Sequence, residues 1–442
     1  MELCGPNVSE TGGPLPCHSV PLCRLQAGGR HVHNLPHLPH QPWVNHPAPA
    51  VASGPAAAVR HRGSGATAAS HSSAGCAASR LAEEAAVGQG ASGGKVVVTG
   101  GGGYFGFRLV RQLASEGLLV VLLDMNKPPC EIPDGAIFCQ GDIRDYSSLY
   151  KVCEGADCIF HTASYGMTGP EQLRKEQVES INVGGTNNVI NVCKERSVPR
   201  LVYTSTINAV FTGRPIVNGD EASVPLHTDH YSRTKAAAEQ MVLAANGCSL
   251  KDGGLLRTCV LRPCGIYGPE ERRHMHRVMM NVERRLFSFR FGDPQARMNW
   301  VHVNNLVLAH TLAAEALTPK KSCVAVSPLH ITHDQKNPFE QLGFKRPLLG
   351  LPVSLVYSPS SLEWRNSQIF YFQVKNIAVT HTFKIDKARR ELGYNPNTYS
   401  LADSVELYLK SRVPRSRSSL LDVSWTSQLL RHRVLLLMLP VV

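Results

Sequence analysis

The sequence predicts an α/β fold, a doubly wound parallel sheet followed by a smaller C-terminal lobe. Three observations support this class. Short apolar runs alternate with helix-compatible segments from Lys95 onward, the first run passes into a glycine-rich turn, and the second run ends in an acidic residue. Strands that are buried on both faces of a parallel sheet give continuous apolar runs, and the helices that cross between them cover the two faces.

The predicted elements follow one another with short connections. Strands are predicted at 96–98, 118–123, 136–139, 156–161 and 201–204, and helices at 104–116, about 146–153 and about 171–196. Ligands of such sheets bind at the carboxyl ends of the strands, near the point where the strand order reverses. The residues that follow each strand are therefore the first candidates for binding and catalysis.

The turn after the first strand reads Thr-Gly-Gly-Gly-Gly-Tyr-Phe-Gly and predicts a Rossmann-type dinucleotide-binding unit. Gly100 allows the tight turn, Gly103 lets a pyrophosphate approach the backbone, and Gly106 lets the helix pack closely on the strand. The phosphates would lie at the helix N-terminus, where unpaired N–H groups favour negative charge. Tyr104 and Phe105, which open this helix, belong to the predicted cofactor contacts. A glycine-rich loop without a ligand is the alternative.

Asp124 closes the second strand. A carboxylate at this distance from the glycine turn can accept hydrogen bonds from the adenosine ribose hydroxyls. It would repel a 2′-phosphate, so the sequence predicts NAD rather than NADP as the cofactor. Lys127 is the nearby cation that would favour NADP instead.

Three more candidates follow later strands. Asp142 and Ile143 come after the third strand and could contact the adenine, one through a polar and one through an apolar side chain. The alternative is a capping cluster for the helix that begins near Tyr146. Ala163 follows the fourth strand, and its small side chain would let the backbone approach the cofactor.

Tyr231 and Lys235 are predicted to carry the chemistry. At positions i and i+4 their side chains share one helix face. The ordinary pKa of tyrosine, about 10, makes it a poor base at neutral pH, but an adjacent ammonium stabilises the phenolate and lowers that pKa. Tyr231 could then exchange a proton with an alcohol or a ketone, and Lys235 could bind the nicotinamide ribose. The hydroxyls of Thr204, Ser205 and Thr206, at the end of the fifth strand, can orient a substrate oxygen.

The ends of the chain differ in composition from its centre. Residues 1–94 contain no Lys, Asp, Ile, Phe or Tyr and are dominated by Ala, Gly, Ser, Pro and His. Such a segment buries too little apolar surface to offset its ordering entropy, so we expect a disordered low-complexity tail. We expect neither a secretory signal nor a mitochondrial transit peptide, because no apolar stretch or Arg-studded amphipathic helix follows Met1. Residues 413–442 form a second, basic and apolar tail.

Charge and cysteine content narrow the class further. The net charge of +12 is spread along the chain, which suits an anionic cofactor or an anionic membrane face. Without a binding motif or a basic block with interleaved aromatics, we expect no nucleic-acid partner. The thirteen cysteines include no C-x-x-C pair. Several of them fall in apolar elements, so we expect buried reduced thiols and no metal site; these are Cys153, Cys158, Cys193, Cys259 and Cys264.

Together the motifs resemble the extended short-chain dehydrogenase/reductases. The family order is met by T-G-G-G-G-Y-F-G, an acid at 124, G-D-I-R-D at 141–145, T-S-T at 204–206, Y-S-R-T-K at 231–235 and L-R-P-C-G-I-Y-G-P at 261–269. The run W-V-H-V-N-N-L-V-L-A-H at 300–310 is similar to the 3β-hydroxysteroid dehydrogenase branch, and within it the chain most resembles family 42E. The resemblance is dense over 95–317 and thinner over 377–412.

The resemblance implies roles for single residues. Tyr231 resembles the family's general acid/base and Lys235 its ribose-binding partner. Thr206 stands where the family has a catalytic serine, and it keeps the hydroxyl. Asn182 matches an asparagine that supports a proton-relay water; a solvated helix position is the alternative.

The resemblance also divides the chain into an NAD-binding domain, 95–262, and a substrate lobe, 263–412. Pro263 and Ile266 match a turn that contacts the nicotinamide amide, with Pro263 as a plain strand terminator the alternative. Residues 318–373 diverge from the family pattern, so the walls of the substrate pocket do not follow from the resemblance. The chain contains no apolar run long enough for a membrane-spanning helix.

The activity implied is NAD-dependent oxidation of a 3β-hydroxysteroid or related sterol alcohol, with Tyr231 as general base. Two alternatives stay open. One is a catalytically weak or silent dinucleotide-binding protein that acts by interaction, which the divergent segment favours. The other is a nucleotide-sugar epimerase or dehydratase on the same scaffold. The resemblance is compatible with a homodimer, with peripheral membrane contact, and with a location in the cytoplasm or on the cytoplasmic face of the endoplasmic reticulum.

Overall fold

The computed structural model describes residues 93–167, 169–211, 213–221, 229–284, 290–318, 342–345, 347–352 and 378–411. The predicted tails and most of the divergent segment 318–373 lie outside these residues. Within the described ranges, no helix is long and apolar enough to cross a membrane.

The strands, numbered in chain order, are β1 (Lys95–Thr99), β2 (Leu119–Asp124), β3 (Ala136–Gln140), β4 (Cys158–His161), β5 (Arg200–Thr204), β6 (Ile216–Gly219), β7 (Arg257–Leu261), β8 (Gly265–Tyr267), β9 (Arg290–Phe291), β10 (Trp300–His302), β11 (Gly350–Leu351) and β12 (His381–Phe383). The helices are α1 (Tyr104–Ser115), α2 (Tyr146–Val152), α3 (Lys175–Glu179), α4 (Thr186–Glu195), α5 (His230–Ala244), α6 (Met275–Glu283), α7 (Val303–Ala316), α8 (Asp386–Leu392) and α9 (Leu401–Ser411). The first five predicted strands are confirmed, with their ends shifted by a residue or two.

The main sheet is parallel and has the strand order β3-β2-β1-β4-β5-β7. The order reverses between β1 and β4, which pair with Val97 opposite Ile159. Val96 and Val98 pack in a core with α1, α7 and α8, whereas Val97 packs in a second core with α2, α4 and α5. Both faces of the sheet are therefore covered, and the predicted doubly wound class is confirmed.

The helix predicted at about 171–196 is interrupted. A 3-10 turn (Gly169–Leu173) precedes α3, and a π-helical segment, Ser180–Gly185, joins α3 to α4. The segment ends in two glycines, which weaken regular helix. A Cβ added at Gly185 would lie 2.4 Å from Cδ1 of Ile143, so this side chain would have to shift to accommodate a larger residue. Segments of π-helix are frequent at functional sites.

A third apolar cluster lies in the part of the chain where the sequence predicts the smaller lobe. It joins β8 and β10 to α6 and α9 through buried residues that include Tyr267, Val282, Trp300 and Val405. Short parallel pairs, β8 with β10, β9 with β11 and β6 with β12, stand apart from the main sheet. The domain boundaries themselves stay predictions.

The five cysteines predicted to be buried thiols are buried. Burial raises the pKa of both Cys153 and Cys158 to about 12. Thiols that stay protonated in an apolar core contribute packing rather than reactivity.

Candidate active site

The glycine-rich turn lies at the carboxyl edge of the sheet, against the end of β4. Gly100 has a φ of 73°, and its N–H donates to the carbonyl oxygen of Leu123 over 2.8 Å. A Cβ added at Gly100 would lie 2.7 Å from the backbone N and Cα of Ala163. A Cβ added at Gly106 would lie 2.2 Å from the carbonyl oxygen of Gly100, so α1 packs directly on the turn. These contacts explain why both glycines are needed and bring Ala163 to the predicted cofactor turn.

Gly103 is the N-cap of α1 and has open space beside it. An added Cβ would meet the carbonyl oxygen of Gly100 at 3.3 Å and no other atom within 4 Å. Within α1, which is described in full, no side chain caps the N-terminus and the first turn holds no acid. A helix N-terminus of this kind can bind a diphosphate through its backbone N–H groups.

The side chains of Tyr104 and Phe105 point to other partners. The Tyr104 hydroxyl donates to the carbonyl oxygen of Pro269 over 3.0 Å. Phe105 is buried, with its ring centre 4.6 Å from that of His310. The part of these two residues that suits a phosphate is therefore the backbone N–H in the first turn of α1.

Asp124 joins the end of β2 to the glycine turn. One carboxylate oxygen accepts from the N–H of Gly102 and the other from the N–H of Asn126, both over 3.0 Å. Each oxygen keeps a further lone pair that a ribose hydroxyl could use. A Cβ added at Gly102 would lie 2.5 Å from the carbonyl oxygen of Asn126. Sequence reasoning missed Gly102, although the run of four glycines was the available signal.

Asp142 and Ile143 have different surroundings. Asp142 accepts from Nε of Arg144 over 2.9 Å, and the hydrogen bond from Arg144 lowers the pKa of Asp142. The cap of α2 is Asp145, which accepts from two backbone N–H groups of the first turn. Ile143 is buried beneath Gly185. Within the predicted capping cluster Asp145 is thus the cap, and the adenine contacts of Asp142 and Ile143 stay predictions.

Tyr231 and Lys235 lie on the buried face of α5, 5% and 2% exposed. The Lys235 ammonium donates to the carbonyl oxygen of Thr204 over 2.6 Å and lies 4.3 Å from the ring centre of Tyr203. Burial lowers the pKa of Lys235 to about 7, against the opposing charge of Glu239.

The pKa of Tyr231 differs from the sequence-based expectation. Burial raises it to about 12, while a hydrogen bond with Ser164 and the charge of Arg273 act in the lowering direction. The predicted lowering by Lys235 is therefore not seen, because burial of the phenol dominates and the ammonium is engaged at the Thr204 carbonyl. Ser164 is a functional candidate that the sequence analysis missed.

The three hydroxyls at the end of β5, those of Thr204, Ser205 and Thr206, have separate partners. His310 donates from Nδ1 to the carbonyl oxygen of Leu306 over 2.8 Å, so its Nε2 accepts from Thr204 over 2.8 Å. Ser205 donates to a carboxylate oxygen of Glu239 over 2.7 Å. Thr206 accepts from the N–H of Asn208, at the start of a 3-10 turn. Of the three, Thr206 is the hydroxyl whose proton remains available to orient a substrate.

Asn182 holds two elements of the site together. Its amide oxygen accepts from the N–H of Tyr165 over 2.9 Å, and its amide nitrogen donates to the carbonyl oxygen of Tyr165 and to Oγ1 of Thr234, both over 3.0 Å. Thr234 lies on α5 between the predicted catalytic pair. Asn182 is 2% exposed, so the alternative of a solvated helix position is wrong.

A buried histidine that the sequence analysis did not single out continues this network. Thr186 donates to the carbonyl oxygen of Asn182 over 2.6 Å, so it accepts from Nε2 of His161 over 2.9 Å. His161 Nδ1 then accepts from the hydroxyl of Thr99 over 2.7 Å. Burial lowers the pKa of His161 to about 3. A neutral histidine thus links the end of β1 to the π-helical segment.

Pro263 and Ile266 follow β7. The carbonyl oxygen of Pro263 accepts from the N–H of Ile207 over 3.1 Å, which ties this turn to the residues beside Thr206. Ile266 lies on β8, opposite Val301 of β10. Within the described part of the chain, no group of three His, Cys, Asp or Glu side chains could hold a metal ion.

Comparison with known proteins gives the family. The model of the 3-beta hydroxysteroid dehydrogenase/isomerase family matches residues 97–348, more than half of the chain. The chain belongs to this family. A short-chain dehydrogenase/reductase family 42E member 1 from Danio rerio is 46% identical over 353 residues, which cover 73% of this chain and 91% of that protein. The resemblance drawn from the motifs is confirmed.

Two further proteins are similar to this member of the 3-beta hydroxysteroid dehydrogenase/isomerase family. A 3-beta-hydroxysteroid dehydrogenase from Mycolicibacterium neoaurum is 32% identical over 327 residues, covering 69% of this chain and 87% of that protein. The solved structure of MoeE5 in complex with UDP-glucose and NAD has a TM-score of 0.55 at 22% identity, covering 72% of this chain and 98% of that chain. The second similarity shows that the fold is shared.

Proposed function

We propose that the protein is an NAD-dependent dehydrogenase that oxidises the 3β-hydroxyl of a steroid or related sterol alcohol. The main support is the contact between Lys235 and the carbonyl oxygen of Thr204. It brings the face of α5 that carries Tyr231 against the end of β5, where Thr206 keeps an uncommitted hydroxyl proton. Membership of the 3-beta hydroxysteroid dehydrogenase/isomerase family supports the substrate class.

The glycine turn fits a nicotinamide dinucleotide. The open surface at Gly103 and the uncapped N-terminus of α1 suit the diphosphate, and the carboxylate of Asp124 suits the adenosine ribose. A 2′-phosphate would meet that carboxylate, which supports NAD over NADP. When bound, NAD would supply the acceptor for the hydride.

The residues of this chain would handle the proton. Thr206 would donate to the reacting oxygen and hold it in place, and Tyr231 would accept the hydroxyl proton. Because burial raises the pKa of Tyr231 to about 12, the phenol is the resting form, and oxidation would draw on the small phenolate fraction. Lys235 would bind the nicotinamide ribose and keep Tyr231 at the end of β5.

A nucleotide-sugar epimerase or dehydratase is a second candidate, because the MoeE5 structure holds UDP-glucose on the same fold. A catalytically silent dinucleotide-binding protein is the third. The steroid proposal also carries the predictions of an apolar substrate, a homodimer and peripheral contact with the endoplasmic reticulum.

One panel separates the three. Purified protein with NAD is offered 3β-hydroxysteroids, their 3α-epimers and UDP-glucose, and NADH absorbance and sugar products are followed. NADH with the 3β-alcohols, and its loss in Tyr231→Phe, supports the proposal. Conversion of UDP-glucose favours the epimerase, and tight NAD binding without any product favours the silent protein.

A further inference from the structure

The buried face of α5 is unusually polar. Its buried residues include Tyr231 and three apolar side chains. The other four buried side chains are polar or charged: Ser232, Thr234, Lys235 and Glu239. Apolar contacts are non-directional and let a helix slide or rotate by small amounts, whereas hydrogen bonds fix both direction and distance. The position of α5 is therefore set by its polar contacts.

Glu239 makes the densest set of these contacts. It lies at i+8 from Tyr231 and i+4 from Lys235, so the three side chains form one stripe of the helix. Its carboxylate accepts from Nε of Arg262, 3.1 Å from each oxygen, and also from an Nη2 group of the same guanidinium. Ser205 donates to the same carboxylate over 2.7 Å. Glu239 is 0% exposed and Arg262 is 5% exposed.

These partners stand at the ends of two neighbouring strands. Ser205 directly follows Thr204 of β5, and Arg262 directly follows Leu261 of β7, which pairs with Thr204. The N–H of Ser205 donates to the carbonyl oxygen of Leu261 over 2.7 Å. One carboxylate thus connects the helix of Tyr231, the turn of Thr206 and the turn of Pro263.

We propose that Glu239 is a positioning residue: with Arg262 and Ser205 it fixes the height and rotation of α5, and so places Tyr231 and Lys235 against Thr206. The expected effect on alcohol oxidation rests on the proposed function. The expected effect on NAD affinity does not, and it is measured separately. A buried ion pair does not by itself add stability over apolar residues. We infer that this pair instead fixes the orientation of α5 through its hydrogen bonds. The negative charge of Glu239 also opposes the lowering of the Lys235 pKa by burial.

The test exchanges the whole pair for apolar residues of similar size, Glu239→Leu with Arg262→Met. Such exchanges often preserve stability, while here they remove the directional contacts. We expect a Tm within about 5 °C of wild type, with kcat for the alcohol and affinity for NAD each lowered about tenfold or more, since small misplacements of reacting groups are costly. A double variant with wild-type Tm, kcat and NAD affinity would overturn the proposal, because a purely structural pair would behave in that way.

Two single variants complete the design. Ser205→Ala removes one hydrogen bond to Glu239 and leaves the ion pair, so it answers the question if the double variant fails to fold; we expect kcat or NAD affinity to fall about threefold or more, and no change in either contradicts the proposal. Glu154→Gln is the control for breaking an ion pair elsewhere, because Glu154 pairs with Arg196 over 3.3 Å ahead of β4, at the opposite edge of the sheet; it should leave kcat and NAD affinity unchanged. If the wild type oxidises no alcohol but the variants lose NAD affinity, the positioning role stands and the dehydrogenase proposal falls.

Discussion

The ammonium of Lys235 lies 2.6 Å from the carbonyl oxygen of Thr204. This contact joins α5, the helix of Tyr231, to the last residue of β5. The ammonium lies in a site where burial lowers the pKa of Lys235 to about 7. Lys235 therefore holds α5 against the end of β5, in addition to its proposed role as a ligand of the ribose.

Replacing Lys235 should therefore affect both catalysis and cofactor binding. In Lys235→Met we expect kcat to fall about 100-fold, within the range seen for loss of a proton-transfer partner, and NAD affinity to fall with it. Lys251→Met, at an exposed lysine, is the control. Steady-state kinetics and isothermal titration with NAD measure the two effects, and a kcat within about twofold of wild type would contradict the role of Lys235.

The pH dependence of oxidation should follow the phenol. Burial raises the pKa of Tyr231 to about 12, so the phenolate fraction grows with pH throughout the neutral and mildly alkaline range. We expect kcat/KM to rise with pH between pH 7 and pH 10 but by less than about tenfold per unit, because the Lys235 ammonium, whose pKa burial lowers to about 7, is lost over the same range. Ketone reduction uses the protonated phenol, so it should not rise there, and it should fall as the Lys235 ammonium is lost. An oxidation profile that reaches its plateau below pH 8 would show that another group limits the reaction.

The glycine turn offers a steric prediction. A Cβ at Gly106 would lie 2.2 Å from the carbonyl oxygen of Gly100, a backbone atom that cannot swing away, whereas a Cβ at Gly184 meets no atom within 4 Å. Gly106→Ala should cost about 1–3 kcal/mol of unfolding free energy, as overpacking does, and should weaken NAD binding. Gly184→Ala should be neutral or stabilising by up to about 1 kcal/mol. Urea unfolding of the two variants compares them, and equal stabilities would argue against the packing of α1 on the turn.

Asp124 should govern the choice of cofactor. Asp124→Asn keeps an oxygen that can accept from Gly102 but removes the negative charge near the ribose. We expect the affinity ratio of NAD to NADP to fall about tenfold, the size of a lost charge repulsion in a partly exposed site. Competition binding measures the ratio, and an unchanged ratio would mean that the ribose does not lie beside Asp124.

Acid should destabilise the fold through two buried histidines. Burial lowers the pKa of His161 to about 3 and that of His310 to about 4, while both titrate at about 6.5 in the unfolded chain. Between the folded and unfolded pKa values the unfolded state therefore binds more protons. The contribution of the neutral histidines to the free energy of unfolding is fully present above about pH 6.5 and is lost as the pH falls towards about 4. The expected loss is about 3 kcal/mol per histidine. Urea unfolding at pH 7.5 and at pH 4.5 measures it, and His310→Gln should remove about 3 kcal/mol of the difference.

The sequence was sufficient for the sheet because buried parallel strands and the glycine turn leave local patterns. It predicts roles for Tyr231 and Lys235 from helix spacing, for Thr206 from its place after a strand, and for Asn182 from the family resemblance, and these roles stay predictions. It did not find the break of helix at Ser180–Gly185, where Gly185 packs against Ile143 from a distant part of the chain.

Contacts between distant elements were beyond the sequence analysis. The hydrogen bonds of Ser205 to Glu239 and of Thr204 to His310 join residues that are far apart in the chain. The sequence therefore could not distinguish the three hydroxyls at the end of β5 from one another. The direction of the Tyr231 pKa was also missed, because the depth of burial of a helix face follows from packing and not from the spacing of Tyr231 and Lys235.

The central claim is that a hydride leaves C3 of a 3β-alcohol while Tyr231 accepts the proton. The direct measurement uses a 3β-hydroxysteroid deuterated at C3, with the NADH formed analysed by mass spectrometry for wild type and Tyr231→Phe. The account predicts deuterium in the reduced cofactor from wild type and none above background from the variant. Reduced cofactor without deuterium, or equal labelling by the variant, would contradict it.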